Sequence, residues 1–200
     1  MTTLRPLILV AILGLFLPAV GTADDGSQTA PAIDQAAMMA ALQKAMTPGE
    51  HHAFLKAMEG KWNLATKAWM APGQPPMESK GTATKTMIHG GRYLQEQVNG
   101  EMMGIPFTGE GLTGFDNTGA RFVGTWIDSM TTSILMFEGQ RDGDVITLTG
   151  TSKDPMSGQM MKVRTVTRRV DDDHHEFEFY MTAPGGPEMK WMEVQYTRAQ

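Results

Sequence analysis

Gly60-Lys61-Trp62-Asn63-Leu64-Ala65-Thr66-Lys67-Ala68-Trp69-Met70 is the stretch on which the reading of the chain turns. Trp62, Leu64, Thr66, Ala68 and Met70 alternate with Asn63, Ala65, Lys67 and Trp69. That period of two is the pattern of a half-buried strand. Downstream, turn signals recur about every ten residues. They are Ala71-Pro72-Gly73 with Pro75-Pro76, His89-Gly90-Gly91, Asn99-Gly100, Asp116-Asn117-Thr118-Gly119, Asp142-Gly143-Asp144, Asp154-Pro155 with Ser157-Gly158, Asp171-Asp172-Asp173, and Pro184-Gly185-Gly186-Pro187. The segments between them, rich in Thr, Val, Phe, Tyr and Trp, predict strands at 61–70, 77–88, 92–99, 107–115, 121–127, 133–139, 144–150, 159–169, 174–182 and 188–198. About ten short strands with no helix between them make an antiparallel meander. A sheet so long and twisted closes on itself, because closure removes its exposed edges. The predicted fold class is therefore all-β: an up-and-down antiparallel barrel with N-terminal helices.

Upstream of the first strand the period is helical. Thr47-Pro48-Gly49-Glu50 reads as a capping box, with Thr47 at the N-cap, Pro48 at the first helical position and Glu50 three residues on. It opens a short helix that buries Phe54, Leu55 and Met58 and stops at Gly60. Asp34 caps an earlier helix running to about Met46, with Ala37, Met38, Ala41, Leu42 and Ala45 on one face. Asp24 to Ala32 is small, polar and proline-containing, a disordered leader by composition. Before it, Arg5 precedes the apolar run Leu7 to Val20, which ends in Gly21-Thr22-Ala23. The run is shorter than the ~20 residues a membrane-spanning helix needs. A basic end, a short apolar centre and small residues at the end define a secretory signal peptide cut before Asp24. The expected organisation is a signal peptide at 1–23, a leader with one helix at 24–49 and a barrel domain at 50–200. The expected location is periplasmic or secreted, with no transmembrane segment after the leader.

Composition narrows the function classes. The chain has no cysteine, which removes disulfides, thiolate metal sites and cysteine nucleophiles. Net charge is −5, with no basic run, which disfavours nucleic acid as a partner.

Gly60-Lys61-Trp62 resembles the Gly-x-Trp signature of lipocalins and their relatives. The resemblance implies that Trp62 plugs one end of a barrel beneath a short helix. It also implies that a basic residue near the end of the last strand, here Arg198, lies across the indole. A guanidinium on an indole is a cation–π contact of ~1–2 kcal/mol when desolvated. From about His51 to Arg198 the chain further resembles an uncharacterised bacterial family, domain-of-unknown-function family 1579. The resembling segments are Pro76-Met77-Glu78-Ser79-Lys80-Gly81, Gly90-Gly91-Arg92-Tyr93-Leu94, Met103-Gly104-Ile105-Pro106-Phe107, Gly114-Phe115-Asp116-Asn117 and Trp126-Ile127-Asp128-Ser129-Met130. This resemblance implies a lipocalin-like barrel and no particular reaction. The helix from Asp34 to Met46 lies outside it.

Several constellations invite chemistry. Gly109-Glu110-Gly111-Leu112-Thr113-Gly114 matches G-x-G-x-x-G, but it lies inside a predicted strand rather than before a helix N-terminus. It therefore lacks the amides that hold a pyrophosphate. The five histidines, His51-His52, His89 and His174-His175, lack convergent spacing, since adjacent strand residues face opposite ways. His51 and His52 are expected on a solvated helix surface. The eighteen methionines include pairs that suit Cu(I) by softness. The competing reading is adaptable apolar lining. Only Met189 and Met192 form Met-x-x-Met, and in a regular strand they face opposite ways. No nucleophile elbow or S-x-x-K is present. Glu101, Glu110, Asp128, Glu176 and Glu178 offer carboxylates without a spacing that makes them converge. No catalytic residue, metal or cofactor is assigned.

What the sequence supports is an exported binding barrel for an apolar or amphipathic small molecule. Its expected lining is Tyr93, Phe115, Trp126, Phe177 and Phe179, with Arg164 or His175 as a polar contact. Gly60, Trp62 and Arg198 are the expected barrel closure. Two alternatives stay open: a hydrolase or isomerase using cavity carboxylates, and a packed barrel that binds another protein. Ligand identity, oligomeric state and the role of the 34–46 helix are not legible.

Overall fold

Each alternating segment forms a strand in the computed structural model, which describes residues 34–200. The strands are β1 (Gly60–Ala68), β2 (Met77–Ile88), β3 (Tyr93–Met102), β4 (Ile105–Asp116), β5 (Arg121–Asp128), β6 (Leu135–Asp142), β7 (Val145–Lys153), β8 (Met160–Arg169), β9 (His174–Thr182) and β10 (Glu188–Arg198). Two helices precede them, α1 (Gln35–Met46) and α2 (Glu50–Ala57). Every strand pairs antiparallel with its neighbours in sequence, and β1 pairs with β10 to close the barrel. The fold is thus an all-β, up-and-down barrel. The expected signal peptide at 1–23 and the leader as far as residue 33 lie outside the described residues. Contacts divide the chain into Met1–Gln35 and Ala36–Gln200, and α2 and the barrel belong wholly to the second unit.

Alternation decides which side chains face inward. Trp62 and Leu64 on β1, Ala83 on β2, Val98 on β3, Phe107 on β4, and Val194 and Tyr196 on β10 form one buried cluster. Leu94, Phe122, Ile146 and Leu148 form a second, completed by Leu55 and Met58 from the α2 segment. Register carries the parity around the barrel: Phe122 lies opposite Gly139, Leu148 opposite Thr165, and Phe179 opposite Met192. The α2 helix packs on β2, β3 and β4 and covers one end.

Four local features depart from the sequence reading. Asn99-Gly100 is not a turn but part of β3, where Gly100 lies directly opposite Gly81. A Cβ on Gly100 would come within 3.1 Å of the Gly81 Cα, so these glycines serve a close strand approach. The β3–β4 hairpin turns instead at Met103-Gly104, both with positive φ (54° and 77°), as a two-residue primed turn requires.

The α2 helix starts at Glu50 with Gly49, not Thr47, at its N-cap. His52 Nδ1 accepts the Gly49 N–H at 3.0 Å, doing from the third helical position what Glu50 was expected to do. His52 is buried, and His51 is half-buried with its ring 3.9 Å from that of Phe115, so neither is the solvated residue expected.

The apolar face of α1 is not packed on the barrel; the helix has no buried residue. Its last turn is held through the backbone. The Asn117 amide donates to the carbonyls of Lys44, Ala45 and Thr47, and Arg92 donates to that of Met46.

Finally, β10 carries an extra residue. Lys190 pairs with Tyr180 and Met192 with Phe179, so Trp191 is a β-bulge. The strand is therefore not the regular one in which Met189 and Met192 would face opposite ways.

Candidate functional site

The end of the barrel under α2 is closed by the Gly-x-Trp segment. Trp62 is 2% exposed, and its indole N–H donates to the Met58 carbonyl at 3.1 Å. The Arg198 guanidinium lies 4.3 Å from the Trp62 ring centroid. It donates to the carbonyls of Glu59 (2.9 Å) and Asp172 (2.6 Å) and to the Asp173 carboxylate (3.1 Å). One side chain therefore ties the start of β1, the β8–β9 hairpin and the end of β10. Gly60 has a φ of +138°, and a Cβ there would collide with the guanidinium, so only glycine fits.

Just inside this closure lies a polar cluster that sequence reasoning missed. Lys85, 5% exposed, faces into the barrel between Ala83 and Met87. Its cross-strand partner is Glu96, between the buried Leu94 and Val98, with Nζ to Oε1 at 3.4 Å. The Lys85 ammonium donates to His175 Nε2 at 2.9 Å and sits 4.3 Å from the Tyr196 ring centroid. His175, 1% exposed, stacks on Tyr196 at 4.0 Å and meets Trp62 edge-on at 4.3 Å. The available signal was one charge among the inward positions of each of two adjacent strands, Lys85 and Glu96. Only the register shows that they meet.

Burial and neighbouring charges act on each titratable group of the cluster. Burial, with the Lys85 and Arg198 charges, pushes the His175 pKa down to about 2, so the ring is neutral. With Lys85 donating to Nε2, the ring hydrogen is on Nδ1, which is buried and has no hydrogen-bond partner among the described residues. Burial also holds Lys85 below its ordinary value, opposed by the Glu96 carboxylate. Burial and Glu96 raise Tyr196 well above the usual phenol range. The cluster therefore sets Lys85 and Glu96 3.4 Å apart beside two groups whose charged forms burial disfavours. An unpaired Nδ1–H offers a hydrogen bond to an acceptor placed within the barrel.

The structure separates the residues expected to line a site. Trp126 and Phe177 pack against the inner cluster around Trp62, and His175 belongs to the polar cluster at its floor. Phe179 has the same parity, opposite Met192 and Thr165. The Trp126 ring covers Gly109 and Gly111, where any Cβ would collide with it. The G-x-G-x-x-G segment thus lies inside β4 as a bed for an indole. Phe115 also faces inward, but under α2, against His51 and Phe122.

Tyr93 and Arg164 face outward. Arg164 forms a bidentate pair with Glu188 (2.8 and 2.6 Å) over the Tyr180 ring. Both residues border a groove of about 890 Å³ lined by Leu112, Val123, Thr125 and Met136, positions that alternate with the buried Phe122 and the inward Phe137. Of the candidate carboxylates, Glu110 and Asp128 border one pocket, and Asp128 accepts from the Trp126 indole N–H at 3.0 Å. Glu110 accepts from Gln95, and Glu178 is engaged by Lys190 and Tyr180. Among the described residues, no three His, Cys, Asp or Glu side chains gather as a metal site. Nor is any helix there long and apolar enough to cross a membrane.

The end opposite α2 has a different character. Five loops ring it: 69–76, 103–104, 129–134, 154–159 and 183–187. They carry a single charged residue, Asp154, and expose Met70, Met103, Met130, Ile134 and Met156. Just within them the inward-facing Trp126, Phe177, Phe179, Met181, Met189 and Met192 are only half-buried.

Fold and site together define a closed ten-stranded up-and-down β-barrel, with one end plugged and the other rimmed by loops with a single charge. The chain belongs to the family described as Protein of unknown function (DUF1579), which matches residues 47–198. No curated protein matches the sequence. Among solved structures the chain is similar to Rv2717c from M. tuberculosis, with 16% identity and a TM-score of 0.55. That match covers 77% of this chain and all of the other, and it shows a shared fold. A redesigned β-barrel aligns with a TM-score of 0.41 at 12% identity, over 73% of this chain and 95% of its own.

Proposed function

We propose that the barrel binds an apolar or amphipathic small molecule, taken in through the end opposite α2. The observation that carries this reading is the half-burial of Trp126, Phe177, Phe179 and Met192 although they face inward. Apolar side chains that face a barrel interior yet keep contact with solvent line a receptive site. Methionine among them suits a ligand of irregular shape. The rim favours the same ligand class, because with Asp154 as its one charge it presents almost no ionic barrier to an apolar molecule. The floor supplies Lys85 and the Nδ1–H of His175 for a polar group.

The test uses a fluorescent apolar dye and a long-chain fatty acid. Saturable dye binding and a concentration-dependent rise in melting temperature are expected, about 2.7 kcal/mol of added stability at a hundredfold excess over Kd. Trp126→Ala should weaken dye binding about tenfold, a loss of ~1.4 kcal/mol. Its effect on the denaturation midpoint should be smaller in free-energy terms. Neither saturable binding nor thermal stabilisation would favour the packed, protein-binding barrel instead.

The function is further proposed to be exercised outside the cytoplasm. The support is the Arg5, Leu7–Val20 and Gly21-Thr22-Ala23 pattern. N-terminal sequencing of protein recovered from the producing cell should start at Asp24. A soluble exported product that retains Met1 would refute the cleavage.

A further inference from the structure

We propose that Met181, Met189 and Met192 form a thioether site for Cu(I) at the open end of the barrel. A regular strand would send Met189 and Met192 to opposite faces, since side chains alternate. The bulge at Trp191 cancels that separation. Met189 lies directly opposite Met181, and Met192 lies opposite Phe179. Phe179 and Met181 share the inward parity of the buried His175. Residues directly opposite each other on antiparallel strands point to the same side, so both methionines of the Met-x-x-Met segment face in.

The distances suit a three-sulfur site. Directly opposed residues have Cβ atoms ~4.5–5.5 Å apart, which describes Met181 and Met189. Met192 stands diagonal to Met181, at ~7–8 Å, within reach of long side chains. Methionine has three rotatable bonds beyond the backbone, so three sulfurs on such a triangle can turn to one point. All three side chains are half-buried, hence reachable from the mouth yet shielded from bulk water.

The surroundings select the ion. Thioethers are soft, neutral ligands that favour Cu(I) over Mg²⁺, Ca²⁺ or Mn²⁺, which require oxygen donors. Inward neighbours in the same rows are Val163, opposite Met181, and Ala68, opposite Met192, and neither supplies oxygen from its side chain. The nearest charges on these strands point outward and are mutually paired: Lys190 with Glu178 and Glu193, and Glu188 with Arg164. The chain has no cysteine to compete for a soft cation. Binding is coordination alone, with the metal arriving and leaving as Cu(I), so no electron changes hands.

The test is an anaerobic titration with Cu(I), kept reduced by ascorbate, in competition with the chromophoric chelator bicinchoninate. The full-length protein should withdraw a single equivalent from the chelator. The Met181→Leu, Met189→Leu, Met192→Leu triple variant should bind more weakly by more than about tenfold, the least that loss of even a supporting group costs a metal site. Methionine-to-leucine exchange conserves volume and apolarity, so the variant should fold as the parent does. Loss of Cu(I) in a triple variant that circular dichroism shows to be folded assigns the effect to sulfur; a parent protein that binds Cu(I) but no dye would count against the ligand reading and leave this one standing. Met156→Leu with Met160→Leu, changing two exposed methionines of the rim, should bind as the parent does. Should the triple variant unfold, as circular dichroism would show, Met189→Leu alone should still weaken binding. Undiminished affinity in a folded triple variant, or a parent protein that leaves the chelator loaded, overturns the proposal.

Discussion

Trp62→Ala should destabilise the barrel by about 3–5 kcal/mol, the cost of truncating a large buried aromatic. The indole is 2% exposed and touches three separate parts of the chain. Its N–H bonds the Met58 carbonyl after α2, its face meets Arg198 from the end of β10, and it makes a T-shaped contact with His175 from β9. Little near it can move into the space it would leave. Arg198→Ala should cost less, about 1–2 kcal/mol, because the cation–π contact is lost while the backbone it joins remains paired through β1 and β10. Equilibrium unfolding in urea, followed by far-ultraviolet circular dichroism, separates the two. If both variants melted with the parent, the closure would not be a source of stability.

Lys85→Met should be about as damaging, on the order of 3–5 kcal/mol, although methionine is the more apolar residue. Removing the ammonium leaves the Glu96 carboxylate inside the barrel without its counter-ion and His175 Nε2 without its donor. Replacing Glu96 with leucine in the same chain should recover at least ~1 kcal/mol, since apolar pairs substitute well for buried ionic ones. A double variant no more stable than Lys85→Met would mean that the pair is not coupled.

The same cluster sets a pH dependence. Because the His175 pKa falls to about 2 on folding, its contribution is fully present above the unfolded value of ~6.5. It is lost as pH falls from there toward 2, at up to ~1.4 kcal/mol per pH unit. His52, also lowered by burial, acts in the same direction. Denaturant midpoints at pH 6.5 and 5 should therefore differ in the parent and differ less in His175→Asn, where the His52 contribution remains. Identical midpoints in the parent would exclude a neutral, buried histidine.

Strand number, antiparallel order and the Trp62 closure were readable because each is a local or motif-level property. A period of two along ten segments dictates which face is apolar, and turn residues dictate where the chain reverses. Asn99-Gly100 misled because a glycine that relieves a close approach between strands looks, in one dimension, like a glycine that makes a turn. Tyr93 and Arg164 misled because aromatic and cationic character does not reveal which face of a strand carries it.

The remaining features belong to pairs of strands rather than to any one of them. Lys85 and Glu96 each look like an ordinary strand charge, and only the β2–β3 register makes them partners. The bulge at Trp191 is a mismatch between β9 and β10, so neither sequence alone contains it, yet it decides where Met189 points. By itself the sequence determined the class of fold, because alternation and turn chemistry act over a few residues, whereas the plugged end was implied by the Gly-x-Trp resemblance. Which side chains meet inside was decided by the tertiary structure, because cross-strand register depends on how distant segments align, and a shift of one residue exchanges inside for outside.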